Sequence, residues 1–180
     1  GVVLDNTGND VAVIAGRVSG TGAFVFADKN ILTVGTVANV AGTPVDGVQT
    51  TNGDIRLSAS KDGASSTGDL ALTQDVIAGG DATMTLEALK GAVSETGNVD
   101  LTATRLLVNA QDTTSLDNTG GSGKHLIGTL AASITGSPAN FGFRNDQALI
   151  VGSVTAQDSI TPTLGVTTAN GNIRIATLGS

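Results

Sequence analysis

One short pattern keeps returning along this chain, and that recurrence limits the fold more than any other feature. Asn52-Gly53-Asp54-Ile55-Arg56-Leu57-Ser58-Ala59 is followed by Thr67-Gly68-Asp69-Leu70-Ala71-Leu72-Thr73, then by Thr96-Gly97-Asn98-Val99-Asp100-Leu101-Thr102-Ala103 and Asn170-Gly171-Asn172-Ile173-Arg174-Ile175-Ala176. Gly80–Leu86 is a looser version. Each copy opens on Asn-Gly or Thr-Gly, where Gly tolerates φ > 0 and Asn or Asp bonds its own backbone. Each then alternates apolar and polar side chains, turning one face to a core and the other to water. A turn plus a short strand, reused in series, is the signature of like units stacked on one another.

A longer repeat lies over the short one. Leu4-Asp5-Asn6-Thr7-Gly8 returns as Leu116-Asp117-Asn118-Thr119-Gly120, an offset of 112. Phe24 and Phe26 match Phe141 and Phe143 at 117, as does Val34-Gly35-Thr36-Val37 with Val151-Gly152-Ser153-Val154. Thr43-Pro44 and Gly47-Val48 match Thr161-Pro162 and Gly165-Val166 at 118. All four Phe of the chain fall in matched positions. The widening offset places an insertion in the Gly-rich run 120–124, as surface loops on a regular scaffold tolerate. Residues 1–180 therefore read as a single β-solenoid segment, with residues 4–115 as a first long unit and 116–180 as part of a second.

Composition narrows the class. Gly and Thr each occur 25 times, and both Gly and β-branched residues lower helix propensity. The best helical window, Met84–Lys90, fits a period of two equally well and is read as a strand. Short strands with turn signals can build a sandwich, a barrel or a solenoid. Short loops, repeats in series and small branched core residues favour the solenoid, an all-β parallel β-helix. Three short strands and their turns need roughly 20 residues per coil. That gives roughly nine short coils at ~4.8 Å each. Phe24, Phe26, Phe141 and Phe143, spaced two apart in pairs, are expected to point inward as a local aromatic layer.

The same composition removes much chemistry. Nine basic against sixteen acidic residues give a net charge of −7, so nucleic acid is not an expected partner, because phosphate contacts need clustered Lys and Arg. No apolar run approaches the ~20 residues of a membrane span, and no membrane insertion is expected. Gly1-Val2-Val3-Leu4-Asp5 has no initiating Met and no basic leader, as expected of a mature or excised segment. There is no Cys and one His, leaving neither thiolate metal sites nor thiol nucleophiles. No cofactor and no catalytic residue are expected.

Carboxylates recur at turns: Asp54, Asp69, Asp81 and Asp100, with Asp5 and Asp117 in the long repeat. Stacked on one face they could form a glycosidase site or hold Ca²⁺. The plainer expectation is turn geometry and solubility. Gly79-Gly80-Asp81 is a fragment of a calcium-binding repeat but is not in tandem. His125, in the loop that varies between copies, is expected to be solvated. Arg56 and Arg174 share one motif position and are expected to pair with carboxylates on neighbouring coils. The residues assigned a role are therefore structural: Asn52, Gly53, Thr67, Gly68, Thr96, Gly97, Asn170, Gly171 and the four Phe.

The runs LDNTG, IAGRVSGTGAFVFADKNILTVGTV, GDLALTQDVIAGGDATMTLEALKGAVSETGNVDLTA and LIGTLAASITG with NFGFRNDQALIVGSV resemble the filamentous-haemagglutinin-type exoproteins, which bacteria secrete by a two-partner system. The resemblance covers essentially the whole chain and rests on repeat patterning. It implies a right-handed parallel β-helix, an extracellular or bacterial cell-surface location, and a role in adhesion, biofilm or fibre formation. Neither the N-terminal secretion domain nor a C-terminal toxin module of such proteins is recognisable in these residues. Homotypic self-association is the expected partnership, because open coil ends invite another copy. A host or matrix glycan or protein is a further partner that the resemblance allows. The alternatives from other classes are a polysaccharide-cleaving or carbohydrate-binding β-helix, although no Trp or Tyr is available to stack on sugars.

Overall fold

The computed structural model describes residues 1–38, 42–60, 67–117 and 123–178. Among them there are strands and turns but no helix, and Met84–Lys90 is mostly strand. In chain order the strands begin β1 (Val2–Leu4), β2 (Val13–Ile14), β3 (Gly16–Val18), β4 (Phe24–Ala27), β5 (Leu32–Val34), β6 (Thr36–Val37), β7 (Val45–Asp46), β8 (Val48–Thr50), β9 (Ile55–Ala59), β10 (Leu70–Leu72) and β11 (Val76–Ala78). They continue as β12 (Thr83–Ala88), β13 (Val93–Glu95), β14 (Leu101–Ala110), β15 (Thr114–Leu116), β16 (His125–Ile134), β17 (Phe141–Asn145), β18 (Ile150–Val151), β19 (Ser153–Val154), β20 (Thr163–Leu164), β21 (Val166–Thr168) and β22 (Ile173–Thr177).

Apart from two small hairpins these strands pair in parallel, each with a strand one circuit further along the chain. Three stacks result. The first runs β1, β4, β9, β12 and then the C-terminal halves of β14 and β16. The second runs β2, β5, β10, β13, β15, β17 and β22. The third runs β3, β8, β11 and the N-terminal halves of β14 and β16. Because β14 and β16 pass from the third stack into the first, those two stacks belong to one sheet. The sheets wrap into a nearly closed, barrel-like surface of parallel strands, compatible with a β-solenoid.

Alternation decides what lies inside. In β12, Met84, Leu86 and Ala88 face the core, as do Ile55, Leu57 and Ala59 in β9 and Leu106, Val108 and Ala110 in β14. All three stacks feed one apolar cluster, which includes the four Phe. A second, smaller cluster lies outside the barrel. Strand β16 pairs β18 through Leu130 and β21 from Ala132, so the chain leaves the sheet beside Ala131. The hairpin β19–β20 fills that opening and packs Val154 onto Leu107 and Ala131.

The layers vary in length, from the expected ~20 residues at Ile14–Val34 upwards. Register partners lie 22 residues apart at Val2–Phe24 and Met84–Leu106 but 31 apart at Phe24–Ile55. The longest stack among the described residues has seven strands. Hairpins account for part of this: β6–β7 lies within the circuit from Phe24 to Ile55, and β19–β20 within that from Ala132 to Val166. A stack constrains only the paired residues, so the connections absorb the rest. The 115/116 boundary read from the sequence falls inside β15 and interrupts no pairing. Most of the expected insertion at 120–124 lies outside the described residues.

Candidate functional site

The four motif copies do not converge. Asn52 and Gly53 turn the chain from the third stack into the first, and Thr67 and Gly68 lead into the second. Thr96 and Gly97 leave the second stack, while Asn170 and Gly171 join the first to the second. They are corner residues at different corners. Their glycines also serve a different purpose from the expected one. Of the four, only Gly97 has positive φ, and in the last copy Asn170 takes that conformation instead. A Cβ on Gly53 would stand 2.0 Å from the Gly22 carbonyl oxygen, and one on Gly171 1.7 Å from that of Ala139. Glycine is required there because the neighbouring layer passes too close for any side chain.

The aspartates of the motif hold layers together. In a parallel stack, a residue at the start of a strand can leave its N–H short of a ladder partner. At several strands a carboxylate one layer below accepts a hydrogen bond from that N–H. Asp54 accepts from Thr83 N–H at 2.7 Å, Asp69 from Ala92 at 2.8 Å and Asp75 from Asp100 at 2.8 Å. Asp100 in turn accepts from Lys124 at 2.6 Å, and the amide of Asn140 from Asn172 at 2.8 Å. The third copy is thus displaced by two positions from its sequence alignment: Asp100, rather than Asn98, matches Asp54. Asp81 faces Arg105 at 2.9 Å, and Asp117 faces Arg174 at 3.3 Å. Lys29 and Asn30 hydrogen-bond the Asp10 carboxylate and hold its pKa below the ordinary aspartate value. No three His, Cys, Asp or Glu side chains among the described residues are grouped to share a metal ion.

Arg56 meets Glu87 at 3.0 Å across adjacent strands, and the Ser58 hydroxyl donates to the same carboxylate. The pair is largely buried on the outer face of the first stack, rather than solvated.

His125 requires a correction. It is fully buried at the start of β16, not solvated in a loop. Its Nε2 lies 2.9 Å from Glu95 Oε2, whose side chain is 4% exposed. The contact is off the line of a hydrogen bond, and Nδ1 has no hydrogen-bond partner among the described residues. The imidazole stacks on Phe143 with centroids 5.6 Å apart. A signal existed in the sequence: His125 shares strand parity with Ile127, and Glu95 with Val93. Both therefore sit on the inward face.

The Phe residues are buried as expected but do not form one layer. Phe24 and Phe26 lie on β4 in the first stack; Phe141 and Phe143 lie on β17 in the second, 6.4 Å apart. A further polar residue closes the third stack. The Asn145 side chain accepts from Ile127 N–H at 3.0 Å and donates to Ile127 C=O at 2.9 Å, standing in for a strand.

The motif carboxylates are thus taken up by neighbouring layers, while the two ends of the stack stay open. Strands β1, β2 and β3 each end a pairing path, with Val3 62% and Leu4 52% exposed. At the other end Ile150 of β18 is 65% and Ile173 of β22 47% exposed. These end faces are the candidate interaction sites. No family model, curated protein or solved structure matches this chain.

Proposed function

We propose that this chain is a structural segment of a large secreted bacterial surface fibre or adhesin, similar to the filamentous-haemagglutinin-type exoproteins. In this reading it is a right-handed parallel β-helix whose layers continue beyond each end face. Its place is the cell surface or the extracellular space, where such a fibre supports adhesion or biofilm. The observation that carries the reading is the pair of end faces: strands with one unpaired edge, framed by exposed Val, Leu and Ile. Unpaired edges with apolar flanks recruit further strands. The carboxylates serve singly as acceptors for backbone N–H groups of neighbouring layers, a use that suits a scaffold. The isolated chain should self-associate through its ends. Sedimentation velocity over a wide concentration range, with electron microscopy, tests this: oligomers or filaments are expected, and a monomer at the highest concentration overturns it.

A further inference from the structure

The internal repeat identifies what belongs on the N-terminal end face. Val2 pairs Phe24 as Thr114 pairs Phe141. Val13 and Ile14 pair Thr33 and Val34 as Thr129 and Leu130 pair Ile150 and Val151. Gly16 pairs Val48 as Ala132 pairs Val166. In each comparison the upper partners are residues that the long repeat equates. The first layer, β1 with β2 and β3, is therefore the structural equivalent of β15 and residues Thr129–Ile134 of β16. Those strands have occupied lower edges: β13 lies against β15, and Arg105–Ala110 lie against Thr129–Ile134.

Resting on the fibre reading above, we propose that the N-terminal face binds a strand layer with the chemistry of residues 91–112, carried by a further repeat of the same polypeptide. Side-chain sizes agree with that occupant. Within the chain, Leu106 lies against Leu130, Val108 against Ala132 and Ala110 against Ile134. On the first layer the corresponding positions are Ile14, Gly16 and Val18, again large, small and large. Around Gly16 a hollow of about 360 Å³ opens, lined by Val2, Leu4, Ile14, Phe24 and Phe26. A Val108-like side chain fits this hollow, where the face is lowest. Parallel pairing along β1, β2 and β3 would supply the backbone hydrogen bonds.

The test is a chain in which a copy of residues 91–112 is fused directly ahead of Gly1, which the offset of 112 equates with Thr113. In the copy, Glu95→Leu is needed, because Asn9, opposite, supplies no imidazole. Amide hydrogen exchange should slow about tenfold or more at Val2–Leu4 and Val13–Val18 relative to the unmodified chain. Val108→Asp in the copied segment should abolish the protection. Unchanged exchange, or equal protection by a scrambled extension, overturns the proposal. If the fusion does not fold, the same segment is titrated as a free peptide onto the unmodified chain; absence of protection at saturation then decides against it. Protection by the extension, with the unmodified chain sedimenting as a monomer, would separate the two ideas, sinking self-association and keeping the layer match.

Discussion

Glycine at the corners is a contact residue here more than a conformational one. Gly53 and Gly20 separate the two roles. Gly20 has φ +79° with nothing within 4 Å of an added Cβ, whereas Gly53 has ordinary φ but faces the Gly22 carbonyl at 2.0 Å. Gly20→Ala should cost about 1 kcal/mol through backbone strain. Gly53→Ala must push two layers apart and should cost about 3 kcal/mol or more. Urea unfolding of both variants measures the difference, and equal midpoints would contradict the steric account. The Asn-Gly and Thr-Gly pairs were legible as turns from sequence alone. That Gly53 and Gly171 need Gly for space was not, since the colliding carbonyls come from Gly22 and Ala139, about 30 positions away.

Between elements, single polar side chains set which strand lies on which. Asp54 and its counterparts each bridge one layer to the next, so the motif aspartate belongs as much to the following strand as to its own. The His125–Glu95 pair makes a deeper link, joining the third stack to the second inside the core. Truncating one partner of a buried polar pair is costly, whereas replacing both by apolar residues can be neutral or stabilising. His125→Leu alone should therefore lose about 1–3 kcal/mol. Combined with Glu95→Leu, it should recover most of that, as measured by denaturant unfolding of the two singles and the double. A double variant no more stable than the singles would mean that the pair is not the dominant constraint at this site. Strand parity made the inward placement of both residues readable, but their meeting across the barrel depends on two stacks coming into register.

For the whole molecule, the long repeat does not return the chain to the same side of the barrel. Phe24 and Phe26 lie in the first stack and their matches in the second, and β9 in the first corresponds to β22 in the second. Chain length between matched segments is thus not a whole number of circuits, and equivalent surface residues move to the next side in the second unit. Stability should also vary along the stack, because inner strands are paired on both edges and end strands on one. Amide exchange should be slowest in β12 and β14 and faster by orders of magnitude in β1 and β22. Uniform protection along the chain would show instead that the stack opens as one cooperative unit.

By itself the sequence determined the all-β class, the turn positions, the inward-facing residues of most strands and the likeness between its two halves. These follow from local properties: alternation, the conformational tolerance of Gly and Asn, and repetition. Only the tertiary structure decided that His125 meets Glu95, that the motif aspartates cap strands in the next layer, and that the matched halves occupy different sides. Each of these depends on residues 20 or more positions apart being brought into register, and register is set by the lengths of connections that the repeat leaves free to vary.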